Sequence, residues 1–432
     1  MYRPERLEEV AEIVREAPAS SVLARGLGRS YGDAALGGGG ALIATDRLDH
    51  LIDFDPGTGL LHCEAAVSFA EILAIFLPRG FFFPVTPGTK FITVGGAIAA
   101  DVHGKNHHRS GSLANALQDF TLLTANGESL LCSREQNAEL FWATLGGMGL
   151  TGIVLEARIR LQPVPSAWMG VHYERAPDLD RLLVRMVEGD DDFAYSVAWI
   201  DCLASGAGLG RGVLARADHA PRVDLSPRHA QNPFALPSSR RPGLPFVLPN
   251  GVLGRPIMRA FNASVFQLQR SRQALVDCDR YFYPLDGVAN WNRAYGRRGL
   301  FQYQFVLPFE TARQGLVEVL ERLVRLRLSS FICVLKTLGA ESGGLLSFPR
   351  PGITLALDVP NAQDGVRAEI ASLDEVVLRH GGRIYLAKDA VSSPEAIREM
   401  YPALDRFLEI KARVDPDGRF ASAQSRRLGI TQ

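Results

Sequence analysis

The sequence has little cysteine, no excess of either charge and no long apolar run. It holds five cysteines without a CxxC pair, which argues against a zinc site or a disulfide framework and favours a reducing compartment. Lys plus Arg and Asp plus Glu both total 47, so global charge predicts no nucleic-acid partner. The longest apolar run, residues 72–85, is broken by Pro78, Arg79 and Gly80, which excludes a membrane span there.

The length and the first residues indicate how the chain is organised. A chain of 432 residues is too long for one ordinary core, so two domains are expected. The composition, 47% hydrophobic and 22% charged, is typical of a soluble globular protein. Residues 1–17 predict a charged amphipathic helix without the apolar core of a signal peptide.

Apolar periodicity predicts a mixture of strands and helices. Asn126 and Gly127 separate two apolar runs and predict a hairpin, because this turn needs positive φ. Residues 153–161 alternate as in a half-buried strand, and Pro163 and Pro165 then mark the best domain boundary. Further strands are predicted at 21–24, 41–45, 60–65, 195–200, 211–215, 331–335, 353–357 and the glycine-started segment 381–389. Helices are predicted at 7–14, 70–77, 137–145, 316–323 and 370–378. This order predicts an α+β fold with a sheet layer covered by helices.

A proline-rich segment spans residues 221–256. Its eight prolines predict that it contains no regular structure. It also holds five arginines against one acid, Asp224. One interpretation is a solvated surface loop. The other is a mobile basic lid that meets a phosphate or a membrane surface.

Two glycine-rich segments indicate a site for one large cofactor. The turn at 25–33 reads RGLGRSYGD, and the segment at 87–108 reads PGTKFITVGGAIAADVHGKNHH. Glycine lets the backbone lie directly against a flat or phosphorylated ligand. The first turn lacks the GxxxxGK[ST] of a P-loop, and Tyr31 stands where a Rossmann fingerprint has its third glycine. The cluster of His103, His107 and His108 lacks a suitably spaced carboxylate or cysteine, so no metal site is expected.

These motifs resemble the FAD-binding domain of the vanillyl-alcohol-oxidase superfamily, also called PCMH-type flavoenzymes. Within it the sequence is most similar to the decaprenylphosphoryl-ribose oxidases, through blocks such as WNRAYG, FQYQFVLP and GGRIYLAKD. The resemblance implies a split FAD domain, residues 1–165 and 383–432, around an antiparallel-sheet α+β substrate (cap) domain at 166–382. Relatives that attach FAD covalently have histidine where this chain has Arg29, so noncovalent FAD is implied.

The resemblance also assigns roles to individual residues. The residues that it places around FAD are Ala24, Arg25, Gly26, Leu27, Gly28, Arg29, Ser30, Tyr31, Gly32, Asp33, Ala34, Gly88, Thr93, Val94, Gly95, Gly96, Ala100, Asp101, Val102, His103, Val154 and Tyr385. The residues that it places in the substrate pocket are Tyr31, Gln304, Lys336, Ala356 and Lys388. Relatives have Asn-x-Cys where this chain has Thr354-Leu355-Ala356, which changes the shape of the pocket.

The implied reaction is oxidation of the 2′-hydroxyl of a decaprenylphosphoryl-ribose-like substrate to the 2′-keto sugar, by hydride transfer to flavin N5. It needs a base near the hydroxyl, and Lys388 and His103 are the candidates. The alternative for each is structural: a surface pair of Lys388 with Asp389, and a core imidazole at His103. Rival functions are a sugar or alditol oxidase that uses oxygen and a non-catalytic FAD-binding scaffold.

The resemblance implies partners and a location as well. The product would pass to a reductase of short-chain-dehydrogenase type, which completes a two-protein epimerisation in the synthesis of cell-wall arabinan precursors. We expect a cytoplasmic protein with peripheral contact at the inner membrane, and the periplasmic face stays open as an alternative.

Overall fold

The computed structural model describes residues 1–17, 22–37, 39–237 and 241–431. The strands are β1 (Val22–Arg25), β2 (Ala41–Ala44), β3 (Leu51–Asp55), β4 (Leu60–Glu64), β5 (Phe81–Phe82), β6 (Leu117–Leu123), β7 (Ser129–Ser133), β8 (Ile153–Arg160), β9 (Gln162–Pro163), β10 (Trp168–Ala176), β11 (Tyr195–Ile200), β12 (Gly212–His219), β13 (Arg272–Asp277), β14 (Leu300–Leu307), β15 (Cys333–Leu338), β16 (Gly352–Pro360) and β17 (Arg383–Ile384). The helices are α1 (Leu7–Glu16), α2 (Phe69–Phe76), α3 (Val94–Ala99), α4 (His107–Ser110), α5 (Ala138–Thr144), α6 (Leu179–Val187), α7 (Pro227–Gln231), α8 (Arg255–Leu268), α9 (Cys278–Phe282), α10 (Phe309–Arg325), α11 (Val366–Ala371), α12 (Leu373–Arg379), α13 (Pro394–Met400), α14 (Leu404–Val414) and α15 (Ala423–Arg427).

The first part of the chain forms a five-stranded antiparallel sheet in the order β3-β4-β8-β6-β7, beside a parallel pair β1-β2. Alternate residues of β8 are buried, as the sequence predicted. The predicted hairpin joins β6 and β7, and Gly127 adopts φ 83° in its turn. α3 packs on β8 and α5 on β7, so the glycine-rich segment lies against this sheet.

The second part forms an eight-stranded antiparallel sheet in the order β13-β10-β12-β11-β15-β16-β14-β17. Helix α6 packs on β10 and β12, while α10 and α12 pack on β14. Tyr303, Phe305 and Leu307 of β14 are buried in the apolar core. The predicted fold class is therefore confirmed: an FAD-domain-type α+β part and a sheet-rich second part.

The C-terminal segment contacts both parts. β17 pairs with β14 in the larger sheet, whereas Phe420 forms a bridge with Val22 of β1. The buried ammonium of Lys411 donates to the carbonyls of Leu150 (2.9 Å) and Phe420 (3.0 Å). The later part of this segment thus packs back on the first part of the chain, and the domain limits at 165 and 382 stay a prediction.

Three predictions of secondary structure are wrong. The proline-rich segment contains α7 and the start of α8, because Pro227 and Pro256 occupy the first turn of each helix, where no N–H is needed. The predicted helix at 370–378 is two helices that meet at Ser372. The glycine-started segment at 381–389 is a strand only at 383–384 and then turns through a 3₁₀ helix, Leu386–Lys388.

In the ranges that the structure describes, no helix is long and apolar enough to cross a bilayer. Of the predicted strand at 21–24, Ser21 lies outside these ranges and the rest belongs to β1.

Candidate active site

One face of the eight-stranded sheet carries polar side chains. The register of β14 with β16 places Gln304 opposite Ala356, and that of β15 with β16 places Lys336 opposite Thr354. Side chains alternate across a strand, so these four residues lie on the face opposite to Phe305 and its apolar neighbours. The structure thereby brings the predicted pocket residues Gln304, Lys336 and Ala356 together, on the face that meets the first part of the chain.

His103 reaches this face from the glycine-rich segment. Its imidazole is 5% exposed, and its Nε2 lies 3.0 Å from the side-chain nitrogen of Gln304. The Thr354 hydroxyl donates to the Phe305 carbonyl (2.8 Å) and accepts from the Gln304 amide (3.1 Å). The Gln304 amide therefore presents N–H to His103, so His103 Nε2 accepts and its Nδ1 carries the proton.

The proton on His103 is a free donor. Among the described residues, no acceptor contacts Nδ1. The ring lies against Tyr385 and Phe348, with centroids 5.2 and 5.4 Å away. Burial is the main cause that lowers the pKa of His103 well below its usual value, and the nearby charge of Lys336 is the second. The structure thus holds a neutral imidazole that can donate one hydrogen bond to a ligand.

Lys388 lies at the end of the 3₁₀ helix that follows β17, the strand that pairs with β14. Its ammonium sits 4.4 Å from the centroid of the Tyr31 ring. Burial lowers the pKa of Lys388 to about 8, and the charge of Asp358 opposes that shift. The surface pair with Asp389 does not form, because Asp389 is buried and bound by Arg427 at 2.8 Å. Lys388 is therefore an amine that can lose its proton near neutral pH.

Asp358 is a site residue that the sequence analysis missed. It is fully buried on β16, accepts from the Gln302 amide and lies 3.4 Å from the Tyr295 hydroxyl. Burial raises the pKa of Asp358 to about 6, while Gln302 and Lys388 favour its charged form. The signal was present: Asp358 lies two residues beyond Ala356, and period-two alternation places both on one face.

The first glycine-rich turn is built to leave backbone donors free. A Cβ on Gly26 would overlap Thr93, and one on Gly32 would overlap the Asp389 carbonyl, so the turn is wedged between α3 and the C-terminal segment. Within the described residues, the N–H groups of residues 27–30 have no acceptor. A run of free amide donors beside glycines suits a pyrophosphate, so the residues present fit FAD.

The predicted contribution of α3 to phosphate binding is less direct. The N–H groups of Val94 and Gly95 donate to the carbonyls of Val67 (3.0 Å) and Ala65 (2.7 Å), and that of Gly96 donates to the Thr93 hydroxyl (3.2 Å). These donors are already used within the protein. The role of this stretch as a pyrophosphate ligand stays a prediction. Its small side chains leave space for a ligand, but its backbone N–H groups are not free to bind one.

The segment from Ala100 to His103 is fixed by the C-terminal segment and the second part of the chain. The Tyr385 hydroxyl donates to the Ala100 carbonyl at 3.0 Å. Asp101 is fully buried with φ 38° and accepts from the hydroxyls of Ser112 (2.9 Å) and Ser342 (2.7 Å). Burial raises the pKa of Asp101, and the serine hydrogen bonds oppose that shift. Asp101 is thus an anchor that holds His103 in place.

The remaining predicted residues lie around this centre. Arg29 is exposed, with its guanidinium 5.8 Å from the Phe91 ring, and a Cβ on Gly88 would meet open space. Ala34 and Val102 are buried, and Val154 lies in β8 opposite Leu122. No hydrogen bond in the described parts joins these residues to the polar face. Their predicted contacts with FAD stay predictions.

Comparison with known proteins bears on this arrangement. Residues 1–133 match a family described as an FAD binding domain, and residues 368–428 match one described as D-arabinono-1,4-lactone oxidase. A decaprenylphosphoryl-beta-D-ribose oxidase of Mycolicibacterium smegmatis is 37% identical over 99% of this chain and 93% of its own length. An uncharacterised protein of Streptomyces coelicolor is 39% identical over 84% of this chain and its own full length.

A more distant relative is named as a dehydrogenase. An L-gulono-1,4-lactone dehydrogenase of Mycobacterium tuberculosis is 23% identical over 99% of this chain and 95% of its own. The named relatives are oxidases or dehydrogenases, and the matched domain binds FAD, which makes this chain an FAD-dependent oxidoreductase. No comparison indicates covalent attachment of FAD. The chain belongs to the flavoenzyme family that includes decaprenylphosphoryl-beta-D-ribose oxidase.

Proposed function

We propose that this protein oxidises the 2′-hydroxyl of a polyprenylphosphoryl pentose to a ketone, with FAD as hydride acceptor. The observation that carries the proposal is that two groups suited to this reaction lie near each other: the Lys388 ammonium packs on Tyr31 of the first turn, and its charge acts on His103. One is the Lys388 amine, whose pKa of about 8 lets it take a proton, and the other is the neutral N–H of His103. The similarity to the ribose oxidase supports the choice of substrate.

In this proposal, different residues of the protein accept the proton and stabilise the developing carbonyl. Lys388 accepts the hydroxyl proton, and Asp358 stabilises the ammonium that results. His103 donates from Nδ1 to the sugar oxygen as it becomes a carbonyl oxygen, and Gln304 holds its tautomer. The chemistry supplied by bound FAD is hydride acceptance. The residues that would hold it are the free amides of 27–30 and the wall formed by Ala100 and Tyr385.

Anaerobic mixing with a short-chain polyprenylphosphoryl ribose tests this function. We expect the flavin absorbance to bleach and the sugar to lose two hydrogens by mass. Peroxide release with free sugars or alditols in air would instead support an oxygen-using oxidase. A flavin that no sugar bleaches would support a non-catalytic scaffold, and either result would contradict the proposal.

The fate of the product is a further part of the proposal. A ketone at C2′ can be reduced from the opposite face to the inverted alcohol, and a reductase of short-chain-dehydrogenase type would do so. This would place the protein in the synthesis of arabinan precursors. Adding such a reductase with its nicotinamide cofactor should convert ribo substrate to arabino product, while accumulation of the ketone would contradict it.

Peripheral membrane contact is the last part of the proposal. Residues 225–276 contain seven arginines and no acid. In the same region Ile257, Phe261 and Leu268 share one face of α8 and are 55%, 48% and 81% exposed. Apolar side chains flanked by arginine suit an anionic lipid surface. Ile257→Ser with Phe261→Ser should weaken binding to phosphatidylglycerol vesicles, and unchanged binding would contradict this contact.

A further inference from the structure

The chain uses lysine in an unusual way. Only five of its 47 basic residues are lysines, and arginine supplies the other 42. None of the five lysines is exposed. Lys90 pairs with Asp279 and Lys411 with Asp415. The other three, Lys105, Lys336 and Lys388, form no ion pair with any described carboxylate.

Lys336 lies at the centre of a cluster of donors. Its charge acts on Lys105 and on the imidazoles of His103 and His107, and the charge of Lys388 acts on it in turn. Within the described chain, its ammonium has no hydrogen-bond partner. Lys105 donates to the Tyr281 carbonyl and lies 4.3 Å from the centroid of that ring. Lys336 and Lys105 therefore have ammonium groups whose charge no described carboxylate balances.

His107 adds a donor that nothing in the described structure uses. It is 1% exposed, and its Nδ1 accepts from the Gly339 N–H at 3.0 Å, so its Nε2 carries the proton. That Nε2 has no acceptor in the described ranges, and neither has Nδ1 of His103. The two rings are 6.2 Å apart. Buried polar groups almost always find a partner, so two free imidazole donors in one place indicate a ligand.

We propose that Lys336, Lys105 and His107 form a phosphate subsite, which binds the phosphodiester of the substrate and leaves the N–H of His103 for the sugar. The subsite adjoins the reacting centre through the register of Lys336 with Thr354. In a polyprenylphosphoryl pentose the phosphate is attached to C1′, next to the hydroxyl that is oxidised at C2′. A phosphate held by Lys336 therefore sets the 2′-hydroxyl beside Lys388 and His103. This inference rests on the proposed function for the identity of the substrate, but not for the anion site.

The charges explain why an anion suits this position. Burial and the neighbouring ammonium groups lower the pKa of Lys336 and of Lys105 to about 7. An arriving phosphate favours the charged forms and would restore them. A compact ammonium with three donors can meet a phosphate as a point charge. The occupant is therefore an anion and not a second cation or an apolar group.

Labelling with pyridoxal 5′-phosphate tests the subsite in the FAD-loaded protein. The aldehyde condenses with a lysine amine, releasing water, and borohydride reduces the imine to a stable amine. We expect pyridoxal 5′-phosphate to label Lys336 or Lys105 at least about tenfold faster than pyridoxal does, since charge-assisted hydrogen bonds contribute that much. Millimolar geranyl phosphate should protect these lysines.

Two variants serve as comparison. Lys336→Met should remove the preference for the phosphorylated aldehyde at Lys105, while Lys90→Met, outside the cluster, should leave it unchanged. Equal labelling by the two aldehydes, or labelling spread evenly over Lys90 and Lys411, would overturn the subsite. If Lys336→Met fails to fold, protection of the unaltered protein by geranyl phosphate but not geraniol decides the matter. These results do not depend on turnover, so they stand apart from the bleaching experiment that tests the oxidation.

Discussion

At the scale of single residues, the central assignment is Lys388 as the base. A base must be neutral to accept a proton, and the neutral fraction of Lys388 rises with pH through its pKa of about 8. The rate constant for flavin reduction should therefore increase with pH, with a midpoint near 8. Lys388→Met should lower that rate by about 10²–10⁴-fold and remove the pH-dependent limb. Stopped-flow absorbance measures both, and the same limb in the variant would contradict the assignment.

Thr354 is a residue whose role is positional. Its hydroxyl fixes the Gln304 amide, and through it the tautomer of His103. Thr354→Val should cost about 1 kcal/mol of the free energy of unfolding and slow flavin reduction, with little change in KM.

The control for this prediction is on the neighbouring strand. Thr337 lies on the opposite face of the sheet, and its hydroxyl has no partner in the described structure. Thr337→Val should leave both flavin reduction and unfolding nearly unchanged. Equal effects of the two substitutions would show that Thr354 does not act through His103.

At the scale of elements, the fold depends on close approach at the first turn. Gly32 packs against the Asp389 carbonyl, where a Cβ has no room. Gly32→Ala should lower the free energy of unfolding by about 2 kcal/mol or more and weaken FAD retention, because the first turn and the C-terminal segment must move apart. Gly37→Ala, whose Cβ would meet open space, should have no such effect. Filtration of the protein followed by flavin quantification measures FAD retention. Equal retention in both variants would contradict a role of the first turn in holding FAD.

Particular residues predicted much of the fold and part of the candidate site, but not the strand order of the larger sheet. The alternation of apolar and polar residues in 153–161 correctly predicted a strand, and the Asn126-Gly127 pair correctly predicted a hairpin, because both signals are local. Likewise, the motif around HGKNHH pointed to His103. Nothing local indicates that β16 lies between β14 and β15, and without that pairing Thr354 and Asp358 have no evident connection with Lys388. The helix at 227–231 was missed because its single proline, Pro227, occupies the first position of the helix.

At the scale of the whole molecule, one charged cluster closes the C-terminal segment onto the first turn. Arg427 binds Asp33 at 2.7 Å and the fully buried Asp389 at 2.8 Å. Arg427→Met should lower the free energy of unfolding by about 3 kcal/mol, because it leaves a buried carboxylate without its cation. Arg398→Met, which removes an exposed pair with Asp405, should change it by less than about 1 kcal/mol. Thermal unfolding compares the two, and equal shifts would contradict this role.

The whole account requires that the hydrogen removed from the substrate comes from C2′. The most direct measurement is anaerobic stopped-flow bleaching with a polyprenylphosphoryl ribose that carries deuterium at C2′. The account predicts slower bleaching with this substrate than with its protium form, and no slowing when the deuterium is at C3′. An isotope effect at C3′ alone, or no bleaching with either compound, would contradict the account.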